Sequence, residues 1–150
     1  MTRYRTVGAA SLVSAVVTAI LCFQSAGAAS PSWRQETLHL RFSHAVEKTY
    51  QVGKKKYEYG DRLVDRYTLS ENGKIVGHAG FDCSLISSDE GICAASFVLK
   101  DGQIASTSSQ IDNGVFPISG GTGPYTGALG TWTDNEKAGT ATLSLLLPPS

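Results

Sequence analysis

The sequence predicts an all-β fold, an eight-stranded antiparallel β-barrel preceded by a signal peptide. Three observations carry this. Short β-branched and aromatic runs recur along the chain, at 36–46, 61–70, 75–87, 91–99, 103–111, 113–118, 124–133 and 138–147. Turn-forming residues punctuate them at regular spacing. No segment sustains a period near 3.6 between helix caps, although 44–58 has room for a helical turn. Eight such strands form a sandwich or a barrel, and closure is favoured because a barrel leaves no unpaired edge.

Residues 1–28 read as a secretory signal. Arg3 and Arg5 give a positive start, Val7–Phe23 is uncharged and mostly apolar, and Ala26-Gly27-Ala28 matches a small-residue cleavage site. The apolar run is short for a span and no basic stop-transfer cluster follows it, so no stable membrane anchor is expected. Leu21 stands where a small residue would precede a lipidated Cys22. Removing 28 of 150 residues leaves a single 122-residue domain, 29–150. A chain of that size buries about two-thirds of its unfolded surface. It carries 11 Lys and Arg against 13 Asp and Glu, a balance that favours neither nucleic acid nor an anionic membrane. The expected protein is secreted. Its oligomeric state is open, and a homo-oligomer is compatible with the sequence.

The elements follow in order. The run at 36–46 leads to Lys54-Lys55-Lys56, a solvated loop flanked by Gly53 and Tyr57. Gly60-Asp61 opens 61–70, and Glu71-Asn72-Gly73-Lys74 turns it into 75–87. The next hairpin, about Ser87–Gly91, carries both cysteines of the mature chain. Opposed positions summing to 176 place Cys83 across from Cys93, close to disulfide reach if the pair is of the non-hydrogen-bonded kind. An oxidising compartment favours a bridge there, with two buried thiols as the alternative. Lys100-Asp101-Gly102, Asp112-Asn113-Gly114 and Asp134-Asn135-Glu136-Lys137 mark later turns, and Pro148-Pro149 stops the last strand.

Gly120–Gly130 holds five glycines in eleven residues. Gly121-x-Gly123-x-x-x-Gly127 is close to a dinucleotide fingerprint, but that motif needs a helix behind it. Pro124 and the β-like residues after it do not make one. No Gly-Lys-Ser/Thr follows for a P-loop either, so the segment reads as a hairpin-type connection. His39, His44 and His78 lack metal-ligand spacing, so no metal is expected. Pro117-Ile118-Ser119-Gly120-Gly121 lacks the first glycine of a nucleophile elbow.

Taken together, the motif order resembles the allene oxide cyclase-like barrel family, with dirigent proteins as distant relatives. The resemblance rests on Gly60-Asp61-Arg62-Leu63-Val64, Asn72-Gly73-Lys74-Ile75-Val76-Gly77, the two cysteines, and Leu99–Ile104. It rests also on Phe116-Pro117-Ile118-Ser119-Gly120-Gly121-Thr122-Gly123-Pro124-Tyr125-Thr126-Gly127-Ala128. It covers about residues 36–147. It implies a calycin-like barrel with an elongated, mostly apolar cavity and no cofactor. The implied activity is ring closure or isomerisation of a hydrophobic, self-reactive polyene, epoxide or polyketide-like metabolite, held near attack geometry. The alternatives are a dirigent-like guide of stereoselective coupling, which lacks an oxidising centre of its own, and a secreted barrel that binds a ligand without catalysis.

By that resemblance Cys83 matches a cavity-lining cysteine, and Tyr67 stands where the plant enzymes have an asparagine. Strand alternation then puts Leu63, Asp65, Tyr67 and Leu69 inside on one strand and Phe81, Cys83 and Leu85 inside on the next. Asp65 and Tyr67 are the candidate catalytic pair, one for proton transfer and one for hydrogen-bond donation. The bland readings are an Asp65 that faces solvent or pairs with Arg41 or Arg66, and a Tyr67 that fills the core. The first strand of the plant enzymes contributes an inward glutamate. Glu36 sits early for that role, and His39 and Arg41 are the alternative occupants of the space. A Cys83–Cys93 bridge would consume the free thiol, which argues against oxylipin cyclisation itself.

Overall fold

The computed structural model describes residues 32–88, 90–110 and 114–149. The leader expected at 1–28 lies outside the described residues, as do Asp89, Asp112 and Asn113 of two expected turns. Eight strands run β1 Arg34–Tyr50, β2 Arg62–Glu71, β3 Lys74–Leu85, β4 Glu90–Leu99, β5 Gly102–Gln110, β6 Val115–Thr122, β7 Leu129–Asn135 and β8 Thr140–Leu147. Each pairs antiparallel with its sequence neighbours, and β1 also pairs with β8, so the sheet closes into a barrel. The expected fold class is the observed one.

Two elements differ from expectation. β1 continues as strand to Tyr50 and is followed by bends, so no helical turn forms at 44–58. The glycine-rich connection holds a short 3-10 turn at Gly123–Tyr125, and β7 begins at Leu129 instead of 124. Pro124 explains the turn: its fixed φ suits the first turn of a helix, and it cannot donate to a ladder. Between β2 and β3, Asn72 and Gly73 both take positive φ (49° and 77°), the backbone of a tight hairpin matched to strand twist.

Alternation decides the interior. On β8, Ala141, Leu143, Leu145 and Leu147 are buried, and on β1 their partners Leu38 and Leu40 share that face. Phe97 of β4 and Ile104 of β5 oppose one another, as do Phe116 of β6 and Trp132 of β7. Leu69, Phe97, Ile104 and Leu143 have no accessible surface at all, so no water-sized void touches them. Burying each such side chain contributes roughly 1.5–3 kcal/mol. The middle of the barrel is therefore packed. This corrects the expected elongated cavity over that stretch, and Leu69 belongs to the core there.

At one end, Cys83 on β3 faces Cys93 on β4 and the two form a disulfide, with Cα atoms 4.0 Å apart. Of the two readings left open for these cysteines, the bridge is the one observed. At the same end Asp61 is wholly buried and accepts hydrogen bonds from the backbone N–H groups of Val52 (2.8 Å) and Glu58 (3.2 Å). These donors hold its carboxyl below the usual range, and they fasten the 52–60 loop to the start of β2. The Gly60-Asp61 motif is thus a loop anchor. Leu85 exchanges backbone hydrogen bonds with Gly60 and Asp61 and is buried outside the central core cluster. Its side chain keeps the inward register of Phe81 and Cys83 at this end of the barrel.

Candidate functional site

A β-bulge on β1 sets up the site. Phe42 faces Leu69, but one extra residue enters between Ser43 and Val46, so Glu47 faces Asp65 and Thr49 faces Leu63. A bulge shifts the alternation by one and re-aims the side chains beyond it. Glu47 is thereby brought to the inner face, directly across from Asp65. On the other flank of β2, Asp65 pairs with Phe81, Tyr67 with Ala79 and Leu63 with Cys83. Leu63, Asp65, Tyr67, Phe81 and Cys83 thus share the inward register at the disulfide end, all half-buried.

The floor beneath them is aromatic. Tyr67 lies 5.2 Å from Phe42 and 5.6 Å from Phe81, ring centre to ring centre. Phe81 continues to Phe97 and Trp132, at 6.0 and 5.6 Å. Trp132 stacks on Phe116 at 4.3 Å. Offset and edge-on contacts of this kind stiffen a wall beyond what area burial gives. The indole is fixed further by its hydrogen bond to Ser106 Oγ, 2.9 Å away and buried.

Electrostatics distinguish the rim from the floor. Burial pushes the Asp65 carboxyl up, and the neighbouring Glu47 charge adds to that. Tyr67 is pushed up to about 12, by burial first and then by Asp65, Glu47 and, more weakly, Glu136. It stays a phenol at any physiological pH, and its hydroxyl donates to Glu47 Oε1 at 3.4 Å. Asp65 forms no ion pair with Arg41 or Arg66 among the described residues. The mouth therefore joins a carboxyl of raised proton affinity to a neutral phenol donor, above an apolar floor. Such a pair can accept a proton and stabilise a developing oxyanion.

Other expected lining residues lie elsewhere. His39 and Arg41 are exposed on the outer face of β1, because Leu38, Leu40 and Phe42 hold its inward register. They line an outer cleft, not the interior, which corrects their expected role. Glu36 shares the inward register of β1, but at the opposite end, ion-paired to Arg34 at 2.8 Å. At that end a cleft of about 370 Å³ is bordered by Leu38, Val76, Leu99, Asp101 and Tyr125. Neither cleft includes Asp65 or Tyr67. Glu47 was not foreseen from sequence, since period-2 alternation from Phe42 turns it outward unless the bulge is known.

No protein-family model matches the chain. No curated protein matches it either. Among solved structures it is similar to pyocyanin demethylase, with 24% identity and a TM-score of 0.62 over 75% of this chain and 99% of that one. It is also similar to the pterocarpan synthase dirigent protein GePTS1, with 17% identity and a TM-score of 0.49 over 92% and 96% of the two chains. The first likeness shows the fold.

Proposed function

We propose that the disulfide-end mouth binds a mostly apolar small molecule and that the protein is a cofactor-independent isomerase or cyclase acting on it. The observation that carries this reading is the placement of Asp65, opposite Glu47 and beside Tyr67, over the aromatic floor. A reactive metabolite lying on Phe42, Tyr67 and Phe81 would be held in few conformers, which supplies part of the barrier lowering. Asp65 would take or return a proton, while the Tyr67 hydroxyl would donate to the oxygen on which charge develops. Because the barrel centre is packed, the ligand sits at the mouth and not along the axis. The name of the demethylase neighbour describes small-molecule chemistry on pyocyanin. For this chain that is an analogy at the level of fold. The Cys83–Cys93 bridge supports an oxidising compartment, consistent with export of the mature domain.

The test is turnover of epoxide and polyene precursors against their uncatalysed rearrangement, with no cofactor and no oxidase added. Acceleration should fall about ten- to a thousandfold in Asp65→Asn and in Tyr67→Phe. A panel turned over equally by both variants and the parent would refute the acid–base role. An effect that appears only beside an oxidase would instead favour guidance of radical coupling. Binding of the neutral probe N-phenyl-1-naphthylamine without any turnover would favour a non-catalytic barrel.

A further inference from the structure

The outer wall carries a cleft with a different chemistry. It has a volume of about 380 Å³ and opens where β8, β1 and β2 meet the β2–β3 turn. Its base is the backbone of Leu40 and Ala141, whose side chains point into the core. Its polar walls are Arg41, His39, Asn72 and the hydroxyls of Ser70, Thr140 and Thr142. Not one lining residue is a carboxylate. In a chain whose mature part is net acidic, that composition is a local reversal of sign.

Register explains how these groups converge. Arg41 pairs with Ser70 on one side and Thr140 on the other, and His39 pairs with Thr142. Side chains of paired residues project to the same face of a sheet, so five of them rise from one patch. His39 Nδ1 lies 3.4 Å from Thr142 Oγ1. Arg41 takes part in none of the ion pairs among the described residues, so its guanidinium fork is uncommitted.

We propose that this cleft binds the tetrahedral oxyanion of a small phosphate or sulfate ester, with Arg41 as its fork. A guanidinium offers paired donors that match such an anion, and charge-assisted hydrogen bonds are the strong ones. Donor groups on three strands and a turn border one volume, which suits three or four oxygens better than the two of a carboxylate. The volume exceeds a lone phosphate ion and lies within the range of small-molecule pockets. This site is on the other side of the barrel wall from Asp65 and does not depend on the reading of the mouth.

The experiment titrates purified protein, expressed from the full chain, with phenyl phosphate, inorganic phosphate and sodium chloride at matched ionic strength. The His39 and Arg41 side-chain resonances are followed by NMR. Saturable shifts are expected with both phosphates and not with chloride. Tighter binding of phenyl phosphate would mark an ester site, and equal binding a site for the free anion. Arg41→Gln should weaken binding about ten- to a hundredfold. Arg41→Lys should fall between, because a lysine keeps the charge and loses the fork. Lys55→Gln, in the exposed loop, should leave it unchanged. Equal shifts with chloride, an unaffected Arg41→Gln variant, or an equal loss in Lys55→Gln would overturn the proposal. So would a change in sedimentation of Arg41→Gln without loss of affinity, which would make the cleft an interface between copies.

Discussion

The Trp132–Ser106 hydrogen bond offers a quantitative test of how the aromatic floor is held. The indole Nε1 donates to Ser106 Oγ at 2.9 Å, and both residues are buried. Ser106→Ala leaves the indole N–H without a partner in a dry site, at a cost of about 1–3 kcal/mol. Trp132→Phe strands the hydroxyl instead, removes part of the stack on Phe116 and leaves a small void, for about 2–4 kcal/mol. Either is a large share of the roughly 5–15 kcal/mol that stabilises a domain of this kind. The double variant removes both polar atoms together, so it should cost less than the sum of the singles, by about 1–2 kcal/mol. Urea unfolding followed by far-UV circular dichroism measures all four proteins. Fluorescence serves poorly, because Trp132→Phe leaves only the exposed Trp33 as an indole reporter. Strict additivity of the two substitutions would refute the claim that the pair is energetically coupled.

Three further outcomes are expected. Gly130→Ala should destabilise severely, by about 3 kcal/mol or more: its φ is +136°, and an added Cβ would stand 2.0 Å from the Ser144 carbonyl oxygen. Thermal unfolding within a degree of the parent would contradict the close approach of β7 to β8. Asp65 binds its proton more tightly folded than unfolded, so the stability it lends is greatest below its ordinary value of 3.8 and is lost as pH rises through the raised folded value. Asp65→Asn should abolish that slope and stabilise the neutral-pH protein by about 0.2–1 kcal/mol, allowing for solvent screening. A flat pH–stability difference curve would place Asp65 in open water and a reversed slope beside a cation or hydrogen-bond donors, and either would refute the raised proton affinity. Replacing both Cys83 and Cys93 by Ala should cost about 2–3 kcal/mol for the 11-residue loop they close, read from the shift in urea midpoint. Reductant should produce the same shift in the parent and none in the variant.

Much of this protein follows from period-2 patterning and turn chemistry alone. The run at 138–147 ends at Pro148-Pro149, Asn72-Gly73 specifies a two-residue hairpin, and register arithmetic sets Cys83 against Cys93. These are local properties, encoded within about ten residues. For Leu63, Asp65, Tyr67, Phe81 and Cys83 the resemblance implies which face is inward, and the regular alternation of β2 and β3 carries that phase through the stretch.

Tertiary structure decided what local pattern leaves degenerate. The bulge between Ser43 and Val46 turns Glu47 inward against Asp65, and no residue there announces it, because a bulge is settled by how β1 must bend to close the barrel. The phase of β1 sends His39 and Arg41 outward, since it is fixed by pairing with β8, about a hundred residues away in sequence. Whether the interior is hollow depends on the side chains that all eight strands bring to one level. Here Leu69, Phe97, Ile104 and Leu143 meet there and fill it. Register and volume are sums over distant strands, and only the closed sheet evaluates them.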